Sequence, residues 1–243
     1  MNNGLNEEEK RTWDNRYSYC KHIELREDLV FVYPNEFRGE ADIVANKLQD
    51  GMDYLKYVCD LNSTHEFRRR TVIGYRHPND EGGKECCPGW LPNWINIPWN
   101  YLYKKPEQNE PLDACSHELV HPYYNRSLLH NSNEEWGDCF CEFLRGPIKN
   151  VMGLDGKAWW REKIKDKKSD KQNWGNVAGQ FLLKAKEKYG AAKETDGDFA
   201  DRFIEDRGAI KDFVKFLFDS FSELPMCLAF YPTTKVKLKF GDI

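Results

Sequence analysis

Apolar positions along the chain follow two regimes. Before about residue 100 they come in short β-branched or aromatic runs, and after residue 112 they recur at intervals of three and four. "LVFVY", Leu29 to Tyr33, closed by Pro34, predicts a strand, and "TVIGYR", Thr71 to Arg76, predicts a second. Between them, from Gly39 to Leu61, the residues Ile43, Val44, Leu48, Met52, Leu55, Val58 and Cys59 fall at helical spacing. That pattern predicts a long amphipathic helix with one buried face. "WLPNWINIPWNYL", Trp90 to Leu102, is an apolar and aromatic strand candidate interrupted by Pro92 and Pro98. Proline cannot donate to a ladder, so this strand belongs at a sheet edge, as a lid on the core or as a cradle for an extended peptide.

Downstream, the spacing predicts helices over 133–145, 156–168, 174–189 and 199–221, the last broken near Gly208. "KVKLKF" alternates Val236, Leu238 and Phe240, as a strand or an ordered tail does. There is no repeat, low-complexity tract or obvious linker. The expectation is therefore one domain over residues 1–243, with an N-terminal subdomain over about 20–130 and a helical one over about 131–243.

Composition narrows the function classes. With 243 residues, 40% hydrophobic and 31% charged, the chain can bury a proper core beneath a well-solvated surface. Its 36 basic and 40 acidic residues give a net charge of -4, which sets up no cationic field for nucleic acid or anionic lipid. No apolar run approaches the roughly 20 residues of a bilayer span. The N-terminus carries no apolar signal core, so a soluble protein is expected, cytoplasmic or secreted with its export signal removed. Eight cysteines fit disulfides in a secreted protein or buried thiols in a cytosolic one. Cys86 and Cys87 are adjacent, and Cys139 and Cys141 point about 200° apart on a helix, so neither pair makes a zinc knuckle.

Candidate chemistry concentrates in "SHELVHPYYNRSLLHNSNEEWGDCF", Ser116 to Phe140. "HELVH" places His117 and His121 one helical turn apart, where both imidazoles leave the same face and can grip one zinc ion, with Glu118 beside it. A chance HExxH is expected on the order of once in a hundred chains of this length, so its surroundings have to support it. They do: Leu112, Cys115 and Leu119 fall on the opposite side, giving a helix with a buried back and a histidine face. A zinc hydrolase needs a third ligand and an open position. His130, Glu134, Glu135 and Asp138 are the candidates, and His130, nine residues after His121 with no preceding glycine, does not fit the metzincin pattern.

"NEEWGD", Asn133 to Asp138, resembles the second signature of the gluzincins, the thermolysin-like zinc peptidases. The resemblance implies that Glu134 is the third ligand and that Asp138, on the same helical face, orients a ligand histidine. Glu135 lies about 100° away round the helix. The helices after Glu134 are also loosely similar to those of the plant basic secretory proteins. Pro122 departs from the family pattern, because its missing N–H removes the bond to the Glu118 carbonyl and forces a kink or an early helix end.

The implied fold is α+β and zincin-like: a small N-terminal mixed sheet with a backing helix, an active-site helix, then a helical C-terminal subdomain. The implied activity is that of a zinc-dependent metallopeptidase with one Zn²⁺ per chain, Glu118 as general base and a peptide or protein as substrate. Oxyanion donors are sought among His130, Tyr123, Tyr124 and Tyr231. The strand residues Asn93, Trp94, Ile95, Asn96 and Ile97 are the candidates for pairing with substrate backbone. The competing readings are a zinc hydrolase acting on a non-peptide substrate, and a catalytically silent zincin-like module that binds protein or glycan.

Overall fold

The computed structural model describes residues 4–59, 70–76, 87–89, 94–98, 110–121, 134–166 and 174–223, with backbone alone for 134–138 and for several element ends. Among these residues the chain is α+β, with a five-stranded mixed sheet and eight α-helices.

Helix α1, Glu7–Arg16, is too polar to stand out by periodicity. A capping box starts it: Asn6 accepts from the Glu9 amide, and the Glu9 side chain accepts in return from the Asn6 amide. Glu9, nearly buried, also receives the Arg70 guanidinium at 2.7 Å, which ties the helix to the start of strand β3, Thr71–Arg76. Tyr17, just past the helix, lies over Gly74, where an added Cβ would sit 2.8 Å from its ring.

Strands β1, His22–Leu25, and β2, Leu29–Tyr33, form an antiparallel pair, and β2 runs parallel to β3. A parallel connection needs a crossover, and α2, Ala41–Val58, supplies it. Its buried face carries Val44, Leu48, Met52, Leu55 and Val58 as expected, although Ile43 is 53% exposed. Strand β5, Trp94–Pro98, extends the parallel set beyond β3, and β4, Cys87–Gly89, pairs antiparallel with the other side of β5. The sheet order is therefore β1-β2-β3-β5-β4.

This corrects the expectation that Trp94 to Ile97 form an edge strand. The register of β4 reaches only Trp94, Ile95 and Asn96, so Pro98 ends its strand beyond β4 and has no ladder bond to lose there. The edge position falls to β4.

Helix α3, Glu110–Glu118, and helix α4, Glu134–Val151, pack against each other and against α2. Gly51 permits the approach of α2, since a Cβ there would meet Met152 Sδ at 3.1 Å and Leu119 Cδ1 at 3.3 Å. Beyond α4 come α5, Gly156–Asp166, α6, Trp174–Tyr189, α7, Asp196–Phe203, and α8, Arg207–Glu223. The expected break near Gly208 lies at 204–206, where the Asp206 side chain accepts from the Ala209 amide and starts α8 anew.

The periodicity predicts an end at Arg145, but α4 continues through Gly146 and Pro147. Proline at 147 cannot donate to the Phe143 carbonyl one turn back. The Trp160 indole supplies that bond instead, donating Nε1–H to Phe143 O at 2.8 Å, and Trp159 donates to Glu142 O at 3.2 Å. Gly146 makes room, since a Cβ there would lie 2.3 Å from the Trp160 ring. Trp160 thus completes a ladder that sequence periodicity reads as broken.

One core cluster runs from the sheet through α2, α3 and α4 into the last helices. Cys20, Cys59, Cys115, Cys139 and Cys141 are buried thiols, and burial pushes Cys20 and Cys59 up to about 12, which keeps them protonated. No helix among the described residues is long and apolar enough to cross a membrane. The segment containing Val236 to Phe240 lies outside the described residues.

Candidate metal centre

Helix α3 presents its back to the core as its periodicity predicts: Leu112, Cys115 and Leu119 are all buried. The helix proper closes at Glu118, with a turn at Leu119 and helical backbone again at Val120 and His121. Pro122 itself lies outside the described residues. The two imidazoles still converge, with ring centroids 5.1 Å apart and planes at 63°.

His117 Nε2 and His121 Nε2 stand 3.3 Å apart. Two imidazoles bound at Zn–N distances near 2.05 Å in a tetrahedron are separated by roughly 3.3 to 3.4 Å, so the pair already forms one edge of such a site. Across from that edge, His117 Nδ1 lies 2.8 Å from Glu142 Oε1 on α4. An ionised carboxylate can only accept, so Nδ1 carries the proton and the Nε2 lone pair faces the site. Side-chain exposures of 12% for His117, 14% for His121, 13% for Glu118 and 10% for Glu142 keep the whole group away from bulk water.

Glu142 is itself held in place. Arg145 donates to its Oε1 at 3.1 Å and spans to Asp113 on α3 at 3.1 Å, and Lys149 meets Asp113 at 2.8 Å. The Trp159 ring covers the Arg145 guanidinium at 4.1 Å. Burial alone raises the Glu142 pKa, but the His117 hydrogen bond and the charges of Arg145 and Lys163 outweigh it and hold the carboxyl below its ordinary range. Asp113 follows the same balance, with Lys149 and Arg145 overcoming burial.

A carboxylate depressed in the folded state stabilises the fold above its unfolded pKa, about 3.9 for Asp. That stability is lost as pH falls through the lower folded value. The metal-free protein should therefore lose stability progressively as pH falls from the ordinary carboxylate range through these lower folded values, and Asp113→Asn should shrink the pH dependence of the midpoint over that window. An unchanged acid limb in the variant would remove Asp113 from this network.

The structure brings His117, Glu118 and His121 together as the HExxH spacing predicts. Glu118 Oε2 lies 3.8 Å from His121 Nε2, beside the nitrogen edge. Glu134, Glu135 and Asp138 sit on α4, but their side chains lie outside the described residues, as do Asn93, Tyr123, Tyr124, His130 and Tyr231. Trp94, Ile95, Asn96 and Ile97 do not form a peptide cradle. Trp94 stacks under the Arg16 guanidinium at 3.5 Å, and Asn96 Oδ1 and the Ile95 carbonyl accept from Tyr17 Oη at 3.0 and 2.8 Å. Ile95 and Ile97 are fully buried.

Two site residues escape a reading by motif. His117 Nδ1 is occupied by Glu142, the role the gluzincin resemblance gives to Asp138. Cys141, next to it, forms with His117 and His121 a group that can hold a metal ion, the three donor atoms lying within 4.8 Å of one another. Glu142 and Cys141 lie four and three residues beyond Asp138, so both continue its polar stripe. A search for cysteine pairs passes over Cys141 because its partners are histidines.

Glu142→Gln should weaken metal binding by about 10- to 100-fold, the usual effect of losing a histidine's carboxylate partner. Competition with a chromophoric chelator measures it, and unchanged affinity would show that Glu142 does not tune His117. Comparison with known protein families, with curated proteins and with solved structures finds no match for this chain.

Proposed function

We propose that this chain is a zinc-dependent metallopeptidase with a zincin-like arrangement, hydrolysing peptide bonds at the His117–His121 face of α3. The observation that carries this reading is the 3.3 Å nitrogen edge, with Glu142 fixing one imidazole and Glu118 beside the other. The HExxH spacing and a mixed sheet followed by two facing helices support it, as does the resemblance of Asn133 to Asp138 to the gluzincin signature.

His117 and His121, with a third donor from α4, would hold a zinc ion, which would supply Lewis acidity toward a carbonyl and lower the pKa of a water toward about 7. The chain's own residues do the rest. Glu118 takes a proton at its carboxylate and delivers it to the leaving amine. Glu142 keeps the His117 proton on Nδ1 and fixes the ring plane, while the Arg145 and Asp113 pairs stop Glu142 from swinging away. Partial burial strengthens each of these interactions by excluding water. The third protein ligand comes from α4, where the resemblance implies Glu134 and the described side chains offer Cys141.

Elemental analysis with turnover of an unbiased peptide library tests the reading. The expected result is one zinc per chain, lost in His117→Ala, and peptide cleavage that a chelator abolishes and zinc restores. A zinc-loaded protein that cleaves no peptide beside an active control would overturn the peptidase assignment. Hydrolysis of esters or amides outside peptides would then point to a non-peptide hydrolase.

A further inference from the structure

We infer that Cys141 Sγ is the third protein ligand, making a site of two imidazoles and one thiolate in place of the two imidazoles and carboxylate of the family signature. The inference rests on the metal-site reading above and goes beyond it by naming the donor.

The turn of α4 that faces α3 decides the matter. Glu142 Oε1 is 2.8 Å from His117 Nδ1, so the turn of α4 that carries residues 141 and 142 lies against His117. Cys141 is adjacent to Glu142 in the chain and fully buried, and its sulfur lies within 4.8 Å of a ring nitrogen of each histidine. In a tetrahedral zinc site a nitrogen and a sulfur ligand are separated by roughly 3.6 Å, given bonds near 2.05 and 2.3 Å. A contraction of about 1.2 Å at most would bring the three donors to tetrahedral spacing.

Glu134 is placed differently. It lies seven residues before Cys141, about 10.5 Å back along the helix axis at 1.5 Å per residue. It shares the face of α4 but stands two turns from the level that Glu142 marks. Asp138 stands about one turn away. The signature that suggests these two carboxylates therefore sits upstream of the turn that meets His117 Nδ1.

The donor type carries a consequence. Imidazole with thiolate favours zinc, cobalt and iron over magnesium, calcium and manganese, which prefer oxygen. On coordination the thiol proton leaves to solvent and the sulfur binds as thiolate. Cys139, two residues away, points about 200° round the helix into the core and serves as an internal control.

Cobalt(II) substitution separates the possibilities, because thiolate ligation adds an intense near-ultraviolet charge-transfer band that nitrogen and oxygen donors do not give. The band is expected in the wild-type protein at one cobalt per chain. It should be retained in Cys139→Ser, Glu134→Gln and Asp138→Asn, and lost in Cys141→Ser. The wild-type spectrum needs no variant to fold, so the test stands even if Cys141→Ser does not. One cobalt bound with visible bands but no charge-transfer band would overturn the Cys141 assignment and leave the metal-site reading standing. A band that survives Cys141→Ser would assign the sulfur elsewhere and overturn it equally. Failure of the wild-type protein to bind cobalt or zinc would overturn both.

Discussion

Glu118→Gln is expected to keep its metal and its melting midpoint while cleaving peptides about 10²- to 10⁴-fold more slowly than wild type, the usual contribution of a positioned general base. The substitution preserves size and helix propensity, and Glu118 is not among the donor atoms that group around the two histidines. Its carboxylate stands 3.8 Å from His121 Nε2, close to the site without taking a place in the ligand set. A base acts in the transition state, so kcat and kcat/KM should fall together with little change in KM. A variant that loses metal stoichiometrically would instead mark Glu118 as a ligand. A variant with wild-type kcat would take proton transfer away from Glu118 and remove the mechanism proposed for this site.

Much of the fold is legible in the sequence where a single physical signal acts. β2, β3 and α2 are set by runs and spacings that no other force contradicts, and the histidine face of α3 follows from one turn of helix. The signal fails where a distant partner changes the rules. Pro98 reads as an edge marker, yet the three-residue β4 covers β5 and stops short of it. Gly146 and Pro147 read as a helix end, yet the Trp160 indole replaces the missing donor. The same limit governs the site. The roles of Cys141 and Glu142 depend on which turn of α4 meets α3, and that contact is fixed by Gly51, Leu119 and the aromatic packing of α4 on α5. A motif records spacing along one chain segment, whereas a ligand set records the register between two.

Trp160 is where fold and site are most tightly joined, and Trp160→Ala is expected to remove most of the protein's stability. Its ring is fully buried and stacked between Phe143, with centroids 5.5 Å apart, and Phe203, at 5.7 Å. Deleting a buried tryptophan ring costs about 3–5 kcal/mol in lost transfer energy and cavity. The substitution also strips the Phe143 carbonyl of its donor, and an unmade buried hydrogen bond adds about 1–3 kcal/mol. The sum is comparable with the whole stability of a typical domain, roughly 5–15 kcal/mol. Pro147→Ala isolates the second part, since alanine restores the N–H that Phe143 O lacks. In the Trp160→Ala background Pro147→Ala should recover about 1 kcal/mol or more of hydrogen bonding, while in wild type the carbonyl is already satisfied and the gain should be smaller. Chemical denaturation of the four proteins measures the difference. Equal effects of Pro147→Ala in both backgrounds would show that the indole bond does not bridge the proline, and a Trp160→Ala midpoint near wild type would discount the stack as well. If the coupling holds, metal affinity should fall in Trp160→Ala at temperatures where it remains folded. The backbone it releases is the turn of α4 that carries Cys141 and Glu142 to the histidines.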